Sequence, residues 1–184
     1  MTRLARIVQD ALDQLDWTDE IDDDEATGQS HVATTALIDE QSCRVFIDTN
    51  EEQDAISVFL YPPFYVKAAH YPEACLLVNA INVQVRHGHL EIVPDSGLLR
   101  VVLSADVEGA SPTGLFVVRM LQCGHAVLGE WLGALAAVAI CGRPAGAVLA
   151  EMTAPAAEAE PAAAGAEGAT PAPVGNPSAA RTLH

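Results

Sequence analysis

Residues 43–63 read CRVFIDTNEEQDAISVFLYPP, and two strand-like segments follow each other within them. Within Cys43–Thr49, the two-residue period of a β-strand places Cys43, Val45 and Ile47 on one face, opposite Arg44, Phe46 and Asp48. A second apolar segment, Ala55–Tyr61, is followed by two prolines, which cannot donate ladder hydrogen bonds. A third segment, His31–Asp39, lies upstream. The links EQS and NEEQD are short enough for hairpins, so we predict an antiparallel meander.

Helical patterns flank these strands. Near the N terminus, apolar residues recur at the spacing of one helix face, and Thr2 can cap the start; these residues are Leu4, Ile7, Val8, Leu12 and Leu15. A second helix is predicted to begin near Pro72 and to end by Gly88, with apolar side chains on more than one side. A third is predicted to start at Ser111-Pro112 and to run through Leu115–Cys141.

Two further strands, His89–Val93 and Leu98–Asp106, are joined by the turn-forming residues PDSG. The predicted order is therefore α-β-β-β-α-β-β-α, an α+β fold with an antiparallel sheet and helices. We place the domain at residues 1–143. Residues 144–184 are predicted to be an Ala/Pro-rich disordered tail, because the last 40 residues hold 15 Ala and 5 Pro and too little apolar area to offset chain entropy.

The charge of the chain excludes one class of partner. Its 184 residues include 25 acidic and 9 basic side chains, a formal charge of −16, which opposes binding to a nucleic-acid backbone. The acidic excess is densest in Asp10–Glu25, where nine of sixteen residues are acidic. The part DEIDDDEATG lacks apolar periodicity and the spacing of an EF-hand. We therefore predict a solvated loop there, and no calcium site.

The sequence also bears on location. No pattern of basic, apolar and small residues typical of a secretory signal is present at the start. The long apolar segment Leu115–Cys141 is interrupted by Arg119 and Glu130, and only 11 residues without charge follow, whereas a membrane span needs about 20. We expect a cytoplasmic protein whose last helix is buried or lies at an interface.

No arrangement of chemically active side chains is evident. The four cysteines have no close-paired zinc spacing and are predicted to be buried free thiols; they are Cys43, Cys75, Cys123 and Cys141. Residues two apart on a helix point about 200° apart, so Cys123 and His125 are not expected to form a catalytic pair. His87 and His89 have no third ligand in the sequence. We predict a non-enzyme without metal or cofactor; an enzyme would instead show a deep pocket with strongly shifted ionisable groups.

Several strands carry apolar residues on both faces, whereas antiparallel sheets normally leave one face polar. If Ile56, Val58 and Leu60 pack beneath the helices, the second face holds the residues that we predict to bind a partner; they are Phe46, Phe59, Tyr61 and Val102, rimmed by Arg44 and Arg100. Either the long last helix covers this second face, or a partner chain does. In the latter case, the two arginines suit an acidic or carboxylate-bearing partner.

The segment LLVNAINVQVRHGHLEIVPDSGLLRVVLSADVEG resembles the YbjN family, through Asn79, Asn82, Gly88 and an acidic turn ending at Gly97. Members are described as bacterial sensory transduction regulators, with a domain similar to the type III secretion chaperone fold. The resemblance implies a small, non-enzymatic protein that forms a homodimer and binds extended segments of other proteins. We expect the matched asparagines to hydrogen-bond backbone groups and to fix the next strand.

Together, these features predict a non-enzymatic protein-binding module, either chaperone-like or a regulatory adaptor. It would bind an extended segment of a partner protein through the apolar sheet patch and by strand addition at a sheet edge. The alternative is a structural subunit whose patch serves only homo-oligomerisation. That alternative predicts a stable oligomer that captures no other protein.

Overall fold

The strands of the molecule form a six-stranded antiparallel sheet in the order β1-β2-β3-β4-β6-β5, and the computed structural model describes residues 1–153. The strands are β1 Asp22–Asp24, β2 Gln29–Ile38, β3 Gln41–Asn50, β4 Ala55–Tyr61, β5 His89–Ile92 and β6 Leu99–Asp106. The helices are α1 Arg3–Gln14, α2 Tyr71–Asn82, α3 Gly114–Ala139 and α4 Ala145–Thr153. The predicted antiparallel α+β architecture is confirmed.

The hairpin between β2 and β3 turns on two acidic residues. Asp39 and Glu40 have φ values of 47° and 61°, and the flanking residues Ile38 and Gln41 pair across the turn. Two successive left-handed residues make a turn whose twist matches the strands, and Asp tolerates that conformation better than most residues. This turn fixes the register of the longest strand pair.

One face of the sheet forms the core. Val45, Ile47, Ile56, Val58 and Leu60 all point to this face and are at most 1% exposed. Such alternation follows from the two-residue period of a strand and buries every second side chain. The core face therefore agrees with the prediction for β4.

Helix α3 packs directly on the core face. A Cβ at Gly124 would lie 2.4 Å from Leu60 Cδ1 and 2.9 Å from Leu103 Cδ1, so the helix backbone touches β4 and β6 there. The prediction that the long last helix covers the second face of the sheet is therefore wrong, because α3 packs on the core face instead. No helix within residues 1–153 is long and apolar enough to cross a membrane.

Acidic side chains from elsewhere in the chain bind the starts of two helices. Asp10 Oδ2 accepts a hydrogen bond from the Gly114 N–H at 2.9 Å, at the start of α3. Glu73 Oε2 accepts one from the Ala145 N–H at 2.7 Å, at the start of α4. The predicted start of α3 at Ser111-Pro112 is wrong, since the helix begins at Gly114 with a cap from α1. Carboxylates are favourable at these positive helix ends.

The start of α1 agrees with the sequence. Thr2 Oγ1 accepts a hydrogen bond from the Ala5 N–H at 3.3 Å, as predicted. Thr2 also donates to Asp23 from its N–H at 2.8 Å and from Oγ1 at 2.9 Å. Partial burial raises the pKa of Asp23, but the hydrogen bonds from Thr2 outweigh this and hold it below its usual range. The predicted solvated loop is corrected accordingly, because Asp22–Asp24 forms the edge strand β1.

Helix α2 is shorter and more one-sided than expected. It ends at Asn82, not by Gly88, and its buried residues lie on one face; these are Ala74, Leu77, Val78 and Ile81. Cys75 is exposed, and Leu76 is 61% exposed. The helix packs on α3, α4 and β5, and its fully buried side chains all lie on that one face, so the prediction of burial on more than one side is wrong.

The chain folds beyond the predicted boundary at residue 143. Helix α4 packs on α2 and α3, with Ala145 and Val148 only 2% and 4% exposed. These two residues lie three apart, so they share the buried face of one helical turn. The predicted disordered tail is thus corrected for residues 145–153. The rest of that prediction lies outside the described residues.

Candidate functional site

The predicted partner-binding residues lie together on the face of the sheet opposite the helices, which we name the open face. Arg44 pairs with Tyr61 across β3 and β4, and Phe46 pairs with Phe59. Phe59 in turn pairs with Val102 of β6. Residues that pair across an antiparallel ladder share one face, and Arg100 has the same phase as Val102. The strand register therefore brings all of the predicted residues to one surface.

Aromatic rings form a continuous surface across the open face. The rings of Phe46 and Tyr61 meet edge to face, with centroids 5.4 Å apart and planes at 89°. His31 of β2 stacks on Phe46 at 5.4 Å, and its Nδ1 lies 2.5 Å from Asp48 Oδ1. His31 was not predicted from the sequence to belong to this surface. The strand register shows that it does, because His31 pairs with Asp48, which shares a face of β3 with Phe46. The surface thus extends from β2 to β4.

Arg100 is held in place by its neighbours. Its guanidinium carbon lies 4.7 Å from the Phe59 ring centroid, and Nη1 donates to Tyr61 Oη at 2.9 Å. The same guanidinium forms an ion pair with Glu91 of β5. Partial burial lowers the pKa of Arg100, but the hydrogen bonds to Tyr61 and Glu91 raise it overall. Arg100 is therefore part of the surface's own structure.

Arg44 differs from Arg100. Its guanidinium carbon lies 5.4 Å from the Tyr61 ring centroid and 6.0 Å from that of Phe46. The side chain is exposed, and within residues 1–153 no carboxylate oxygen lies within the 4.0 Å that defines an ion pair. The open face thus presents a cation beside aromatic rings, with its charge available to an incoming anion.

Exposure varies among the apolar residues of the open face. Phe46, Phe59 and Tyr61 are half-buried and keep ring surface accessible. Val102 is only 7% exposed, because Phe59 and His89 flank it on the neighbouring strands. The accessible apolar area therefore comes from the three aromatic residues, and Val102 contributes little of it.

Two of the sheet's boundary segments are closed to further pairing. Strand β1 consists of three aspartates, whose charges deter an added strand. At β5, the Leu90 N–H donates to Asn82 Oδ1 at 2.7 Å, and Asn82 Nδ2 donates to the Leu90 carbonyl at 2.9 Å. The outward-facing backbone at Leu90 is therefore already bonded to a side chain.

The outer edge of β2 remains open beyond β1. Strand β1 pairs only with residues 29–31, which leaves residues 32–38 without an outer neighbour among the described strands. Ile38 and Gln41 flank the two-residue turn and form a hydrogen-bonded pair, and such pairs recur at every second residue along β2. The even-numbered residues of β2 therefore bond β3, and the N–H and C=O groups of Ala33 and Thr35 face outward. The Leu37 carbonyl also faces outward, and it lies 3.3 Å from His125 Nε2.

The other predicted residues do not assemble into a site. Cys123 and His125 have separate surroundings, since His125 contacts the Leu37 carbonyl and Cys123 is half-buried. All four cysteines are free thiols, as predicted. Only Cys43 is fully buried, whereas Cys123 is half-buried and Cys75 and Cys141 are exposed, so the prediction that all four are buried is wrong. Within residues 1–153, no three His, Cys, Asp or Glu side chains are grouped to hold a metal.

Comparison with known proteins places this architecture in a family. Residues 5–137 match the YbjN family, described as "Putative bacterial sensory transduction regulator". The chain belongs to the YbjN family. Comparison with curated protein sequences finds no match. The resemblance expected from the sequence is confirmed.

Two solved structures align with about two thirds or more of the chain. "Structure of the HopA1-SchA Chaperone-Effector Complex" aligns at a TM-score of 0.46 and 16% identity, over 72% of this chain and 91% of that one. "Crystal structure of YbjN, a putative transcription regulator from E. coli" aligns at a TM-score of 0.42 and 17% identity, over 68% and 89%.

The positions that carried the YbjN resemblance are mostly structural. Asn82 bonds the next strand at Leu90, as expected, whereas Asn79 is exposed. Gly88 and Gly97 have φ values of 75° and 67°. A Cβ would lie 2.6 Å from a backbone oxygen at Gly88 and 2.3 Å from one at Gly97, so both positions require glycine.

Proposed function

We propose that this YbjN-family protein is a non-enzymatic adaptor, chaperone-like or regulatory, that binds an extended segment of a partner protein on its open face. The observation that carries the proposal is the aromatic surface of Phe46, Phe59 and Tyr61, which no helix within residues 1–153 covers. Aromatic side chains supply much of the binding energy at protein interfaces, and contiguous apolar patches mark contact sites. The proposal includes the homodimer and the cytoplasmic location expected from the sequence.

The charge of Arg44 limits the chemistry of the partner. The chain as a whole carries −16, so acidic partners are repelled at long range, yet Arg44 presents a cation at the aromatic surface. A carboxylate that reaches Arg44 gains a charge-assisted hydrogen bond and becomes partly desolvated against the rings. We therefore propose a partner segment that is apolar overall and carries one acidic side chain.

The outer edge of β2 supports strand addition next to this surface. The outward-facing groups of Ala33 and Thr35 can bond an added strand, and these two residues pair with Phe46 and Arg44 respectively. Their small side chains leave room for larger ones from the added strand to reach across to β3. Since side chains alternate, the segment needs a large apolar residue and an acidic residue two positions apart.

Affinity capture from native lysate tests the face. We compare the full-length chain with Phe59→Asp, and use Leu76→Asp as the control, since Leu76 is 61% exposed on α2. Circular dichroism and gel filtration establish that each variant is folded. We expect a stoichiometric partner that is lost with Phe59→Asp and retained with Leu76→Asp. Equal capture by both variants contradicts the site, and self-association alone supports the structural-subunit alternative.

A second variant tests the edge separately. Ala33→Pro removes an outward-facing N–H while leaving the ladder to β3 intact, because Ala33 is at a position whose groups do not bond β3. We expect Ala33→Pro to reduce partner capture at least tenfold. Unchanged capture that still depends on Phe59 would show that the face binds without strand addition.

A further inference from the structure

We infer a second binding site, separate from the open face, for a small amphipathic anion with a carboxylate or phosphate head and a short apolar body. The site is a cleft of about 430 Å³ between the first half of α3, the loop after α2 and the end of β6. Its lining includes Arg86, Leu103, Ser104, Phe116, Arg119 and Met120. Its volume lies within the range of about 300–1,000 Å³ typical of small-molecule pockets.

The charge of the cleft is opposite to that of the chain. Two arginines line it and no carboxylate does, although the chain as a whole carries −16. Within residues 1–153, neither Arg86 nor Arg119 has an acidic oxygen within 4.0 Å. Arg119 donates to Gln122 Oε1 at 3.0 Å, a neutral partner on the same helix. Both guanidinium groups can therefore accept an anionic ligand without first breaking an ion pair.

The floor of the cleft is apolar. Leu103 and Met120 are 5% and 8% exposed, and they face the cleft from β6 and α3. Phe116 lines the cleft from α3 and is 36% exposed, so part of its ring is accessible to a ligand. A ligand with only a charged group would leave this surface unused, so the lining fits a molecule that is charged at one end.

The end of β5 adds a backbone donor. Strand β5 pairs with β6 only as far as Val102. The hydrogen bond from the Val93 N–H to the Leu98 carbonyl shows that the backbone groups of the even-numbered residues of β6 point towards β5. The same alternation turns the N–H and C=O groups of Ser104 outward past the end of β5, and Ser104 lines the cleft. An anion near the arginines can accept a hydrogen bond from this N–H.

Titration of the isotope-labelled full-length chain with octanoate tests the site by NMR, with octyl phosphate, octylammonium, octanol and inorganic phosphate as parallel probes. We expect saturable shifts from octanoate or octyl phosphate, confined to the segments that line the cleft, which are Arg86–Gly88, Leu103–Ala105 and Phe116–Cys123. The tighter of these two identifies the head group. Equal binding of octylammonium or octanol, equal binding of inorganic phosphate, or no saturation by any probe would overturn the inference.

Charge variants provide the matched control. The double variant Arg86→Glu/Arg119→Glu should weaken binding of the preferred probe at least tenfold, and Arg86→Gln/Arg119→Gln serves if the first does not fold. Arg6→Glu, at an exposed arginine on α1 that does not line the cleft, should leave the affinity unchanged. Loss of partner capture with Phe59→Asp should occur independently of these results. If the Arg86→Glu/Arg119→Glu and Arg86→Gln/Arg119→Gln variants both bind the probe as tightly as the parent chain does, the cleft is not the anion site.

Discussion

The side-chain amide of Asn82 binds both backbone groups of Leu90, accepting from its N–H at 2.7 Å and donating to its carbonyl at 2.9 Å. In this geometry the amide replaces the neighbouring strand that β5 lacks on its outer side. It also joins the last residue of α2 to the sheet. Strand addition at Leu90 is therefore blocked, and the outer edge of β2 is the edge to which the proposed partner segment would pair.

Replacement of Asn82 by alanine should destabilise the protein by about 2–4 kcal/mol, because it removes two hydrogen bonds and leaves both groups of a buried residue unpaired. Leu90 is 1% exposed, so water cannot replace the amide without local opening. Asn79→Ala, at an exposed position in the same helix, should change the stability by less than about 0.5 kcal/mol. Urea unfolding measures both values. Equal effects of the two substitutions would mean that the amide is not structurally important.

Gly97→Ala should be more destabilising than Gly109→Ala, although both glycines have a φ of 67°. The left-handed conformation alone costs about 1–2 kcal/mol for alanine, and this applies to both positions. At Gly97, a Cβ would also lie 2.3 Å from the Val66 carbonyl oxygen, whereas nothing lies within 4 Å at Gly109. The difference between the two midpoints of urea unfolding isolates this contact. Identical midpoints would show that the backbone near Val66 relaxes.

The strands could be predicted from the sequence because alternation is a local signal. The start of α3 could not, since Asp10, which caps it, lies 104 residues away in the chain. Strand β1 was missed because three aspartates have low strand propensity, and only pairing with residues 29–31 makes them a strand. Helix α4 was missed because its composition resembles the following residues, and its burial depends on contact with α2.

The candidate site was predictable in part for the same reason. Alternation within β3, β4 and β6 placed all the predicted residues on one face. It did not distinguish Arg44 from Arg100, because the ion pair of Arg100 depends on the register that places Glu91 opposite it. The cleft near Arg86 was also not predictable, since it forms where β5 ends before β6 does.

Stability should decrease at alkaline pH through Cys43. Burial in the core raises the pKa of this thiol to about 11, whereas an unfolded cysteine ionises near pH 8.5. Between these values the folded chain binds the extra proton, so the stabilising contribution is present below about pH 8.5 and is lost as the pH rises towards 11. Cys43→Ala should flatten this part of the profile in urea unfolding, and Cys75→Ala, at an exposed thiol, should not. The same slope in both variants would contradict the assignment.

The two arginines of the open face should separate stability from binding. Arg100→Ala removes an ion pair, a hydrogen bond to Tyr61 and a cation–π contact, so we expect a loss of about 1–2 kcal/mol in unfolding free energy. Arg44→Ala removes only an exposed cation beside the rings and should change stability by less than about 0.5 kcal/mol. Partner affinity should nevertheless fall at least fivefold in Arg44→Ala and become less sensitive to salt, because the charge that meets the partner's carboxylate is gone. Urea unfolding and titration with the captured partner at two salt concentrations measure these effects. If Arg44→Ala destabilises the chain as much as Arg100→Ala, or leaves the affinity unchanged, Arg44 is not the residue that reads the partner's charge.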